Sequence, residues 1–551
     1  MSWTAIFAQR LHKQSVQKQP CNPVSTYYVS RVLRYYRTVA SFYVQNFGCR
    51  ATQADGAAIE EQLRESGLHR ASAPGEAEIV VLNTCTVTAA ADQDARAAIR
   101  RIAHENPGCQ ILVTGCYAQR APEELAALPG VKWVVGNSHK HRLAEIAAPL
   151  VPRAPEETEI RFEGGAAVRN FVPLTRLSTS PHSLKAEAGS PTPEAGSRIF
   201  VSDIFAHTEL LAAPVFDAGN ERTRPNLKVQ YGCDNRCSFC VIPYVRGQSR
   251  SLKPEEVIRQ VNGLVEAGYR EVVISGINLG RWGRDLADVS RPSSVVSAPG
   301  ARVSVTEQET PKTFVDLIRC LLQETALEKL RLSSVEPMDW SDELIRLVAE
   351  SPCIAKHAHV PMQSGSDTVL RRMRRKYRPW HYQEKIEKIR TAMPNAAIGA
   401  DVMVGFPGET EFEFEQTRRM VEELPFTYLH VFTYSSRPGT PAAAMPNQVP
   451  VRTARERNRV LRELAAEKKL AFMRSFIGKT IQAITLSGFE GGYTEAITDN
   501  YLKLRIAEKH DANSWVETRV EQVAGGALVG SILHERGQGE ENYFMEFHAC
   551  T

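Results

Sequence analysis

The chain has 551 residues, enough for two to four domains, and its 43% hydrophobic and 24% charged residues are typical of a globular protein. No apolar run approaches the roughly 18 residues that would suggest a membrane span. The net charge is only +4, but residues 480–551 hold 5 basic against 11 acidic residues. The basic excess therefore lies earlier in the chain and makes a polyanionic partner plausible.

Residues 1–40 are predicted to be a disordered leader. Residues 1–54 hold seven basic and no acidic residues, which loosely resembles an organelle transit peptide, although a leader without function or an over-extended start fits as well. The chain's 11 cysteines are too few for a secreted disulfide scaffold. Their short spacings favour metal binding in a reducing compartment, so we expect a cytoplasmic protein without a membrane partner.

Strand–helix alternation begins at Ser41 and predicts a small parallel α/β domain over residues 41–150. FYVQNFGC, EIVVLNTC and QILVTGC are typical of strands running into a cysteine, and helical patterns follow at ADGAAIEEQLRESG and DQDARAAIRRIAHEN. Because the C-terminal ends of parallel strands share one edge of a sheet, we expect Cys49, Cys85 and Cys116 to converge on one site.

Residues 151–222 are predicted to be a linker, because residues 176–200 are rich in Ser, Pro, Ala and Gly. The strand–helix pattern resumes at NLKVQYGC and continues through EVVISG, LRLSSV, HAHVPMQ, AAIGADVMVGF and YLHVFTYS. This order predicts a full or partial (β/α) barrel over residues 223–475, with a surface insertion at residues 285–312. Nine basic against three acidic residues make residues 451–479 a predicted basic helix.

Residues 476–548 contain short alternating runs separated by glycine, among them IQAITLSG, YLKLRI and WVETRVEQV. This pattern predicts a small antiparallel β-barrel. The expected fold class is therefore α/β, with an N-terminal parallel α/β domain, a central partial barrel and a C-terminal barrel.

The strongest chemical signal in the chain is CDNRCSFC, which holds Cys233, Cys237 and Cys240. Spacers of three and two residues are too short for a usual disulfide and suit a loop that turns three thiolates onto one centre. A closed structural site normally recruits four protein ligands. A cubane 4Fe-4S cluster with one open iron fits three thiolates, while a zinc site completed by a distant residue, or cysteines grouped by chance, are the alternatives.

The surrounding YGCDNRCSFCVIPYVRG, with Phe239 before the last cysteine, resembles the signature of the radical S-adenosylmethionine (SAM) superfamily. The resemblance implies that the open iron chelates SAM and that an electron from the cluster cleaves it to a 5′-deoxyadenosyl radical. A cofactor must supply that radical because acid–base catalysis cannot break an unactivated C–H bond at neutral pH.

The contexts NFGCRATQADGAAI, VVLNTCTVTAAADQDARAAIR and VTGCYAQRAPEEL resemble the three N-terminal cysteine motifs of the methylthiotransferase family. The resemblance implies that Cys49, Cys85 and Cys116 bind a second 4Fe-4S cluster, whose open iron carries the sulfur for the product. Three ordinary core cysteines are the alternative. The remaining cysteines match no motif.

Further positions match the SAM-binding segments of that superfamily. The resemblance implies that Gly276 and Asn278 in ISGINLG approach the methionyl group, since glycine admits close backbone approach. It also implies ribose or carboxylate contacts at later strand ends and, in DVMVGFPGET, a glycine behind the adenine. The implied residues are Glu336, Gln363, Ser364 and Gly405.

Several positions resemble the branch of the family that modifies N6-threonylcarbamoyladenosine in tRNA: Arg50, SDIF (residues 202–205), RGQSRS (residues 246–251) and RLSSVEP (residues 331–337). Thr52 departs from that branch, which usually has asparagine before Gln53. GGYTEAITDNYLKLRI (residues 491–506) resembles the TRAM domain, a small RNA-binding barrel. The acidic balance of this region argues against a general phosphate-binding surface.

Contacts to RNA phosphates are expected from basic residues near the barrel mouth. These are Arg246 and Arg250 beside the cysteine loop, and Arg374, Arg375 and Lys376 in the run LRRMRRKYR, although ion pairs or a solvated face would explain them equally well.

We therefore expect an enzyme that inserts a methylthio group at carbon 2 of N6-threonylcarbamoyladenosine beside the tRNA anticodon, with two SAM per turnover. The expected partners are the tRNA anticodon loop and an electron donor such as flavodoxin or ferredoxin; the sulfur donor is not indicated. Two alternatives keep the chemistry and act on isopentenyladenosine or on a ribosomal-protein aspartate. A non-catalytic iron–sulfur RNA-binding or sensor protein is the alternative of another class.

Overall fold

The computed structural model describes residues 40–48, 50–147, 198–206, 224–286 and 313–536. The first unit is a six-stranded parallel sheet in the order β2-β1-β3-β4-β5-β6, with helices between its strands. Its elements are β1 (Ser41–Asn46), α1 (Arg50–Glu65), β2 (His69–Arg70), β3 (Ile79–Thr84), α2 (Ala89–Glu105), β4 (Gln110–Gly115), α3 (Cys116–Arg120), α4 (Pro122–Ala126), β5 (Val131–Gly136), α5 (Leu143–Ala147) and β6 (Ile199–Phe200).

The central strands of this sheet are apolar because both faces are covered. All six residues of β3 are buried, and so are the last five of β4. α2 begins at the N-cap Thr88, whose side chain accepts a hydrogen bond from the Ala91 amide. β6 lies within residues 151–222, which were predicted to be a linker, and it pairs in parallel with β5.

The second unit alternates strands and helices around a large apolar core. Its elements are β7 (Asn226–Tyr231), α6 (Ile242–Arg246), β8 (Arg250–Ser251), α7 (Pro254–Glu266), β9 (Glu271–Gly276), α8 (Phe314–Glu324), β10 (Lys329–Leu332), α9 (Asp342–Glu350), β11 (His357–His359), α10 (Asp367–Arg372), α11 (Pro379–Ala392), β12 (Ala397–Val404), α12 (Glu411–Glu423), β13 (Tyr428–Thr433) and α13 (Val451–Arg474).

The strands of the second unit form a partial barrel. One sheet has the order β10-β9-β7-β8 and the other the order β11-β12-β13, and isolated parallel bridges at Leu330–Ile354 and Ser334–His359 connect them. All pairings of the named strands are parallel except that of β7 with β8. β13 is an edge strand, so the barrel is open on that side.

The C-terminal unit is a closed barrel in the order β14-β15-β16-β18-β17. Four of its pairings are antiparallel, and β16 pairs with β18 in parallel. Apolar side chains fill its interior together with the end of α13. The strands are β14 (Thr480–Glu490), β15 (Tyr493–Thr498), β16 (Lys503–Ala507), β17 (Trp515–Ala524) and β18 (Ala527–Arg536).

The structure confirms the predicted α/β class and the three architectures. All but residue 40 of the predicted leader (residues 1–40), most of the predicted linker, nearly all of the predicted insertion, Cys49, and the last 12 residues of the predicted C-terminal unit (537–548) lie outside the described residues. Within the described ranges, no helix is both long enough and apolar enough to cross a bilayer.

Candidate active site

The three cysteines of the CDNRCSFC loop follow β7 and line one cavity of about 680 Å³. Gly232 has φ +70°, and a Cβ there would lie 1.8 Å from the Gln248 carbonyl oxygen. The Cys233 amide donates to the Gly247 carbonyl at 3.1 Å. The glycine turn therefore holds the loop close against the chain that follows α6, which aims the thiols inward.

Polar groups beside these cysteines suit sulfur ligands that carry negative charge. Arg375 Nη1 lies 3.3 Å from Cys237 Sγ, and Asn278 Nδ2 lies 3.8 Å from Cys233 Sγ. Burial raises the pKa of Cys233 to about 11 and that of Cys240 to about 12. Thiols of this kind lose their protons to a bound metal. In the described part of the chain, no fourth cysteine lines the cavity, so the residues fit a cluster with one open iron.

Five of the seven residues predicted to bind SAM line this cavity: Phe239, Gly276, Asn278, Glu336 and Gln363. The backbone amide of Asn278 donates to Gln230 Oε1 at 2.7 Å, which fixes the turn after β9. Gln363 has φ +63°, and its amide donates to the Asp401 carbonyl. The cavity thus lies at the C-terminal ends of β7, β9, β10 and β11, the usual position of a site in parallel α/β barrels.

Ser364 and Gly405 are not among the residues that line the cavity, so the structure does not place them where the sequence predicted. The Ser364 hydroxyl lies 3.1 Å from Thr417 Oγ1 on α12. A Cβ at Gly405 would lie 2.5 Å from the Ala454 Cβ on α13. Gly405 therefore allows α13 to pack closely against this turn. That packing explains why glycine occupies the position, and no contact with the adenine of SAM is needed to explain it.

The basic run at residues 370–378 divides by burial. Arg375 is buried, forms an ion pair with Glu336 and contacts Cys237, so its charge is engaged inside the protein and not presented on the surface to RNA phosphates as predicted. Arg374 and Lys376 on either side of it are exposed. Exposed and buried side chains alternate from Arg374 to Lys376 because these residues lie in the turn after α10, where Arg374 has φ +58°, and not in a helix.

Two of the three N-terminal cysteines lie at the predicted sheet edge. Cys85 follows β3, Cys116 follows β4, and both are buried. Gly115 has φ +98°, and a Cβ there would lie 2.3 Å from the Thr84 carbonyl oxygen. A Cβ at Gly48, the residue before Cys49, would lie 2.8 Å from Cys85 Sγ. Chain from all three predicted motifs therefore approaches this edge.

The N-terminal cysteine edge packs against the barrel loop. Cys116 belongs to one apolar cluster with Val241 and Val245, which adjoin the CDNRCSFC loop. Asn137 Nδ2 donates to the Val245 carbonyl at 2.7 Å. Ala51, two residues after Cys49, lines the barrel cavity itself.

Arg246 connects the two units and is fully buried, which corrects its predicted role in RNA binding. Its Nε lies 3.2 Å from Cys116 Sγ, and its Nη1 donates to Asp55 Oδ2 at 3.1 Å. Arg250 is half-buried, donates to the Arg246 carbonyl and lies over the Tyr231 ring. The ion-pair alternative for Arg246 therefore holds.

Asp55 is completely buried and pairs with three cations: Lys140 from its own unit and Lys228 and Arg246 from the barrel. Burial alone would raise the pKa of Asp55, but the three cations lower it well below its ordinary value. The carboxylate therefore stays ionised and holds two positive charges of the barrel against the N-terminal unit.

A second set of cavity residues was not predicted from the sequence. Five of these residues lie on β11, β12 and β13, and two others, Arg331 on β10 and Tyr501 in the C-terminal barrel, complete the set. The five are His357, His359, Asp401, Tyr428 and His430. Residues i and i+2 of a strand share a face. Polar side chains at such positions in HAH and YLH were the signal that could have identified them.

Comparison with known proteins gives matches over both cysteine-bearing units. The profile "Uncharacterized protein family UPF0004" matches residues 41–136, and "Radical SAM superfamily" matches residues 227–421. The threonylcarbamoyladenosine tRNA methylthiotransferase MtaB of Bacillus subtilis (strain 168) is 34% identical over 85% of this chain and 90% of its own length. The enzyme of that name from Aquifex aeolicus (strain VF5) is 31% identical over 84% of this chain and 95% of its own.

The tRNA-2-methylthio-N(6)-dimethylallyladenosine synthase 1 of Mycobacterium marinum (strain ATCC BAA-535 / M) is 31% identical over 90% of this chain and 83% of its own length. The identities extend over both cysteine-bearing units and reach the level that shows common family membership. The chain is a transferase and belongs to the radical SAM methylthiotransferase family.

Proposed function

We propose that this enzyme inserts a methylthio group at carbon 2 of N6-threonylcarbamoyladenosine beside the anticodon of a tRNA. One observation carries the proposal: the edge bearing Cys85 and Cys116 packs directly against the loop of Cys233, Cys237 and Cys240. A radical source and a sulfur source are both required for this reaction, and the contact between Cys116 and the chain after the cysteine loop supports their placement side by side. The MtaB relatives carry the same activity in their names.

Family membership implies one 4Fe-4S cluster and SAM, and we propose that Cys233, Cys237 and Cys240 hold that cluster. When bound, it supplies the electron that cleaves SAM and so the radical that removes hydrogen from the substrate carbon. Asn278 and Gln363 line the cavity, and their buried side-chain oxygens, which have no hydrogen-bond partner in the described chain, can accept hydrogen bonds from SAM. Arg375 donates to Cys237 and stabilises its negative charge.

We propose a second 4Fe-4S cluster on Cys49, Cys85 and Cys116. Arg246 and Asn137 place N–H donors 3.2 and 3.6 Å from Cys116 Sγ. In a low-dielectric interface such donors stabilise thiolate charge and fix the position of the ligand. This site would carry the sulfur, and a second SAM per turnover would supply the methyl group.

Exposed Arg374 and Lys376, at the barrel mouth, are the proposed contacts to the anticodon-loop phosphates. An electron donor of the flavodoxin or ferredoxin type would supply the reducing electron. Isopentenyladenosine in tRNA remains a second candidate substrate, because the Mycobacterium marinum relative is named for it.

Two measurements test the proposal. Anaerobic reconstitution is expected to give about eight irons per chain, since each cubane holds four, together with reductive cleavage of SAM. Mass spectrometry of tRNA nucleosides from a strain lacking the gene is expected to show loss of the methylthio form of N6-threonylcarbamoyladenosine. About four irons, or the loss of a different nucleoside, would contradict the proposal.

A further inference from the structure

The cavity continues from the cysteine loop into the interior of the barrel. Glu336 and Gln363 lie after the ends of β10 and β11, whereas His359, Asp401 and His430 lie within β11, β12 and β13. The deeper region therefore lies beyond the residues assigned to the cluster and to SAM. It opens toward the edge strand β13, where the His430 side chain is 64% exposed.

Four polar residues form one wall of this deeper region, and we call Ser334, His359, Asp401 and His430 the polar wall. Ser334 Oγ and His359 Nδ1 share a hydrogen bond of 2.5 Å. His359 Nε2 and His430 Nδ1 lie 3.4 and 3.3 Å from the same oxygen of Asp401. A carboxylate thus lies between two imidazoles at the side of the cavity.

Buried polar atoms of the cavity lack hydrogen-bond partners within the described chain. They are Asn278 Oδ1 and Gln363 Oε1, on residues that are only 4% and 7% exposed. His359 Nε2 is also buried, and its contact with Asp401 Oδ1 at 3.4 Å lacks the geometry of a hydrogen bond. Buried polar groups are costly unless they are paired, so these atoms indicate a ligand with complementary groups. Asn278 and Gln363 adjoin the cysteine loop, while His359 belongs to the deeper region and needs a separate part of the ligand.

The polar wall offers both an acceptor and donors. Burial alone would raise the pKa of Asp401, but the adjacent imidazoles of His359 and His430 lower it well below its ordinary value, so the carboxylate accepts. The imidazole nitrogens are the potential donors. A ligand that carries hydroxyl or N–H groups together with a carboxylate would satisfy both kinds of group.

Aromatic rings close the inner end of the cavity. The Tyr428 ring is nearly parallel to those of His357 and His359, with centroids 5.9 Å away in each case. Tyr501, from the C-terminal barrel, lies 5.1 Å from His357. The buried part of the polar wall, at His359, is therefore shielded from bulk water, whereas His430 lies at the open side. Hydrogen bonds at a shielded position discriminate strongly between ligands.

We propose that the polar wall binds the N6 substituent of the target adenosine and selects a hydrogen-bonding substituent, such as threonylcarbamoyl, over a hydrocarbon one. This assignment rests on the proposed function and names its specificity determinants. An isopentenyl group can neither accept from an imidazole nor donate to Asp401, so it would displace water from the polar wall without supplying a hydrogen bond in its place. A site of this kind rejects a ligand that lacks the matching groups by about tenfold or more.

The test uses the reconstituted full chain and two anticodon stem-loop RNAs, one with threonylcarbamoyladenosine and one with isopentenyladenosine at the target position. The variants are Asp401→Asn, which keeps the side-chain volume, and His359→Leu. His104→Gln, an exposed histidine on α2, is the control. The readouts are the dissociation constant for each RNA, kcat and KM, and cleavage of SAM without RNA.

The wild-type protein is expected to bind the threonylcarbamoyl RNA about tenfold more tightly. Each polar-wall variant should lose most of that preference through a higher dissociation constant and KM for this RNA alone. Its iron content and RNA-free SAM cleavage should match those of His104→Gln. These unchanged readouts exclude general misfolding.

Equal loss on both RNAs, or an unchanged preference, would overturn the proposal. So would a stoichiometric metal other than iron that both variants lose, because two imidazoles and a carboxylate within 4.8 Å could hold a cation instead. Failure of the proposed function is seen separately, in the wild-type protein: methylthiolation of neither RNA, or of the isopentenyl RNA alone.

Discussion

At the scale of single residues, burial decided which predictions held. Cys233, Cys237 and Cys240 were identified because their spacing is itself chemical information, and they do line one cavity. The roles of Arg246 and Arg375 could not be predicted, because a count of charges does not show which side chains face inward. Each guanidinium instead donates to a cysteine sulfur, Cys116 and Cys237 respectively.

Asp55→Asn tests the buried ion-pair network between the units. The variant keeps the volume but leaves Lys140, Lys228 and Arg246 without a counter-charge, so we expect the free energy of unfolding to fall by about 3–5 kcal/mol. Chemical denaturation measures the change. Glu61→Gln, which removes a pair with Arg64 on the surface, should cost under about 1 kcal/mol and is the control. A similarly small effect at Asp55 would contradict the account.

The same network predicts a pH dependence whose sign is fixed. Because the folded-state pKa of Asp55 is lowered, its ionisation stabilises the fold fully above the ordinary aspartate pKa of about 4. That contribution falls as the pH is lowered further. The difference in the free energy of unfolding between the wild-type protein and Asp55→Asn should therefore be constant above about pH 4 and should shrink as the pH falls below that value. A stability difference that stays constant below about pH 4 would refute this prediction.

At the scale of elements, hydrophobic patterns located every described strand of the barrel except the two-residue β8 but placed some ends too late. HAHVPMQ was predicted as one strand, whereas β11 ends at His359 and the chain then turns at Gln363, with φ +63°. Apolar residues such as Val360 and Met362 remain buried beyond His359, so their hydrophobicity cannot mark where the strand ends. Chain beyond two of these ends, at Ser333 and Gln363, lines the cavity.

The turn before the cysteine loop gives a prediction at this scale. A Cβ at Gly232 would lie 1.8 Å from the Gln248 carbonyl oxygen, so Gly232→Ala must displace the loop. We expect iron content to fall from about eight to about four per chain. Gly268→Ala is the matched control, because Gly268 also has positive φ but no atom lies within 4 Å of its Cβ position. Full iron loading of Gly232→Ala would show that the loop tolerates the shift.

The turn between α10 and α11 gives a second prediction. Arg374→Ala and Lys376→Ala should each weaken tRNA binding and reduce the slope of log K against log salt concentration by about one. Binding isotherms at several salt concentrations measure that slope. Arg259→Ala on α7, an exposed arginine paired with Glu256, is the control. An unchanged slope in both variants would place the phosphate contacts elsewhere.

At the scale of the whole molecule, the sequence predicted three units and two cysteine groups but not how the units pack. That packing depends on contacts between residues far apart in the chain, such as Asn137 with Val245 and Arg437 with Asp92. The N-terminal unit thereby contributes Ala51 to the cavity of the barrel. With Tyr501 from the C-terminal barrel, residues of all three units therefore line one cavity.

This arrangement predicts that the two cysteine groups can be separated by mutation. Cys85→Ala should lower iron from about eight to about four per chain, abolish methylthiolation, and leave reductive cleavage of SAM intact. Iron analysis and quantification of 5′-deoxyadenosine check this. Cys320→Ala, a free cysteine on α8, should change neither quantity. Loss of SAM cleavage in Cys85→Ala would show that the groups are not independent.

The contact between the C-terminal barrel and the cavity has a consequence for catalysis. Arg331 donates to the carbonyls of Asp499 and Thr498, and its guanidinium lies 5.2 Å from the centre of the neighbouring Tyr501 ring. The C-terminal barrel, which resembles an RNA-binding domain, therefore also closes the inner end of the cavity in which we propose that the radical forms. Deletion of the C-terminal barrel is therefore expected to weaken RNA binding and also to admit solvent at the inner end of the cavity. SAM would then be cleaved without formation of the methylthiolated product.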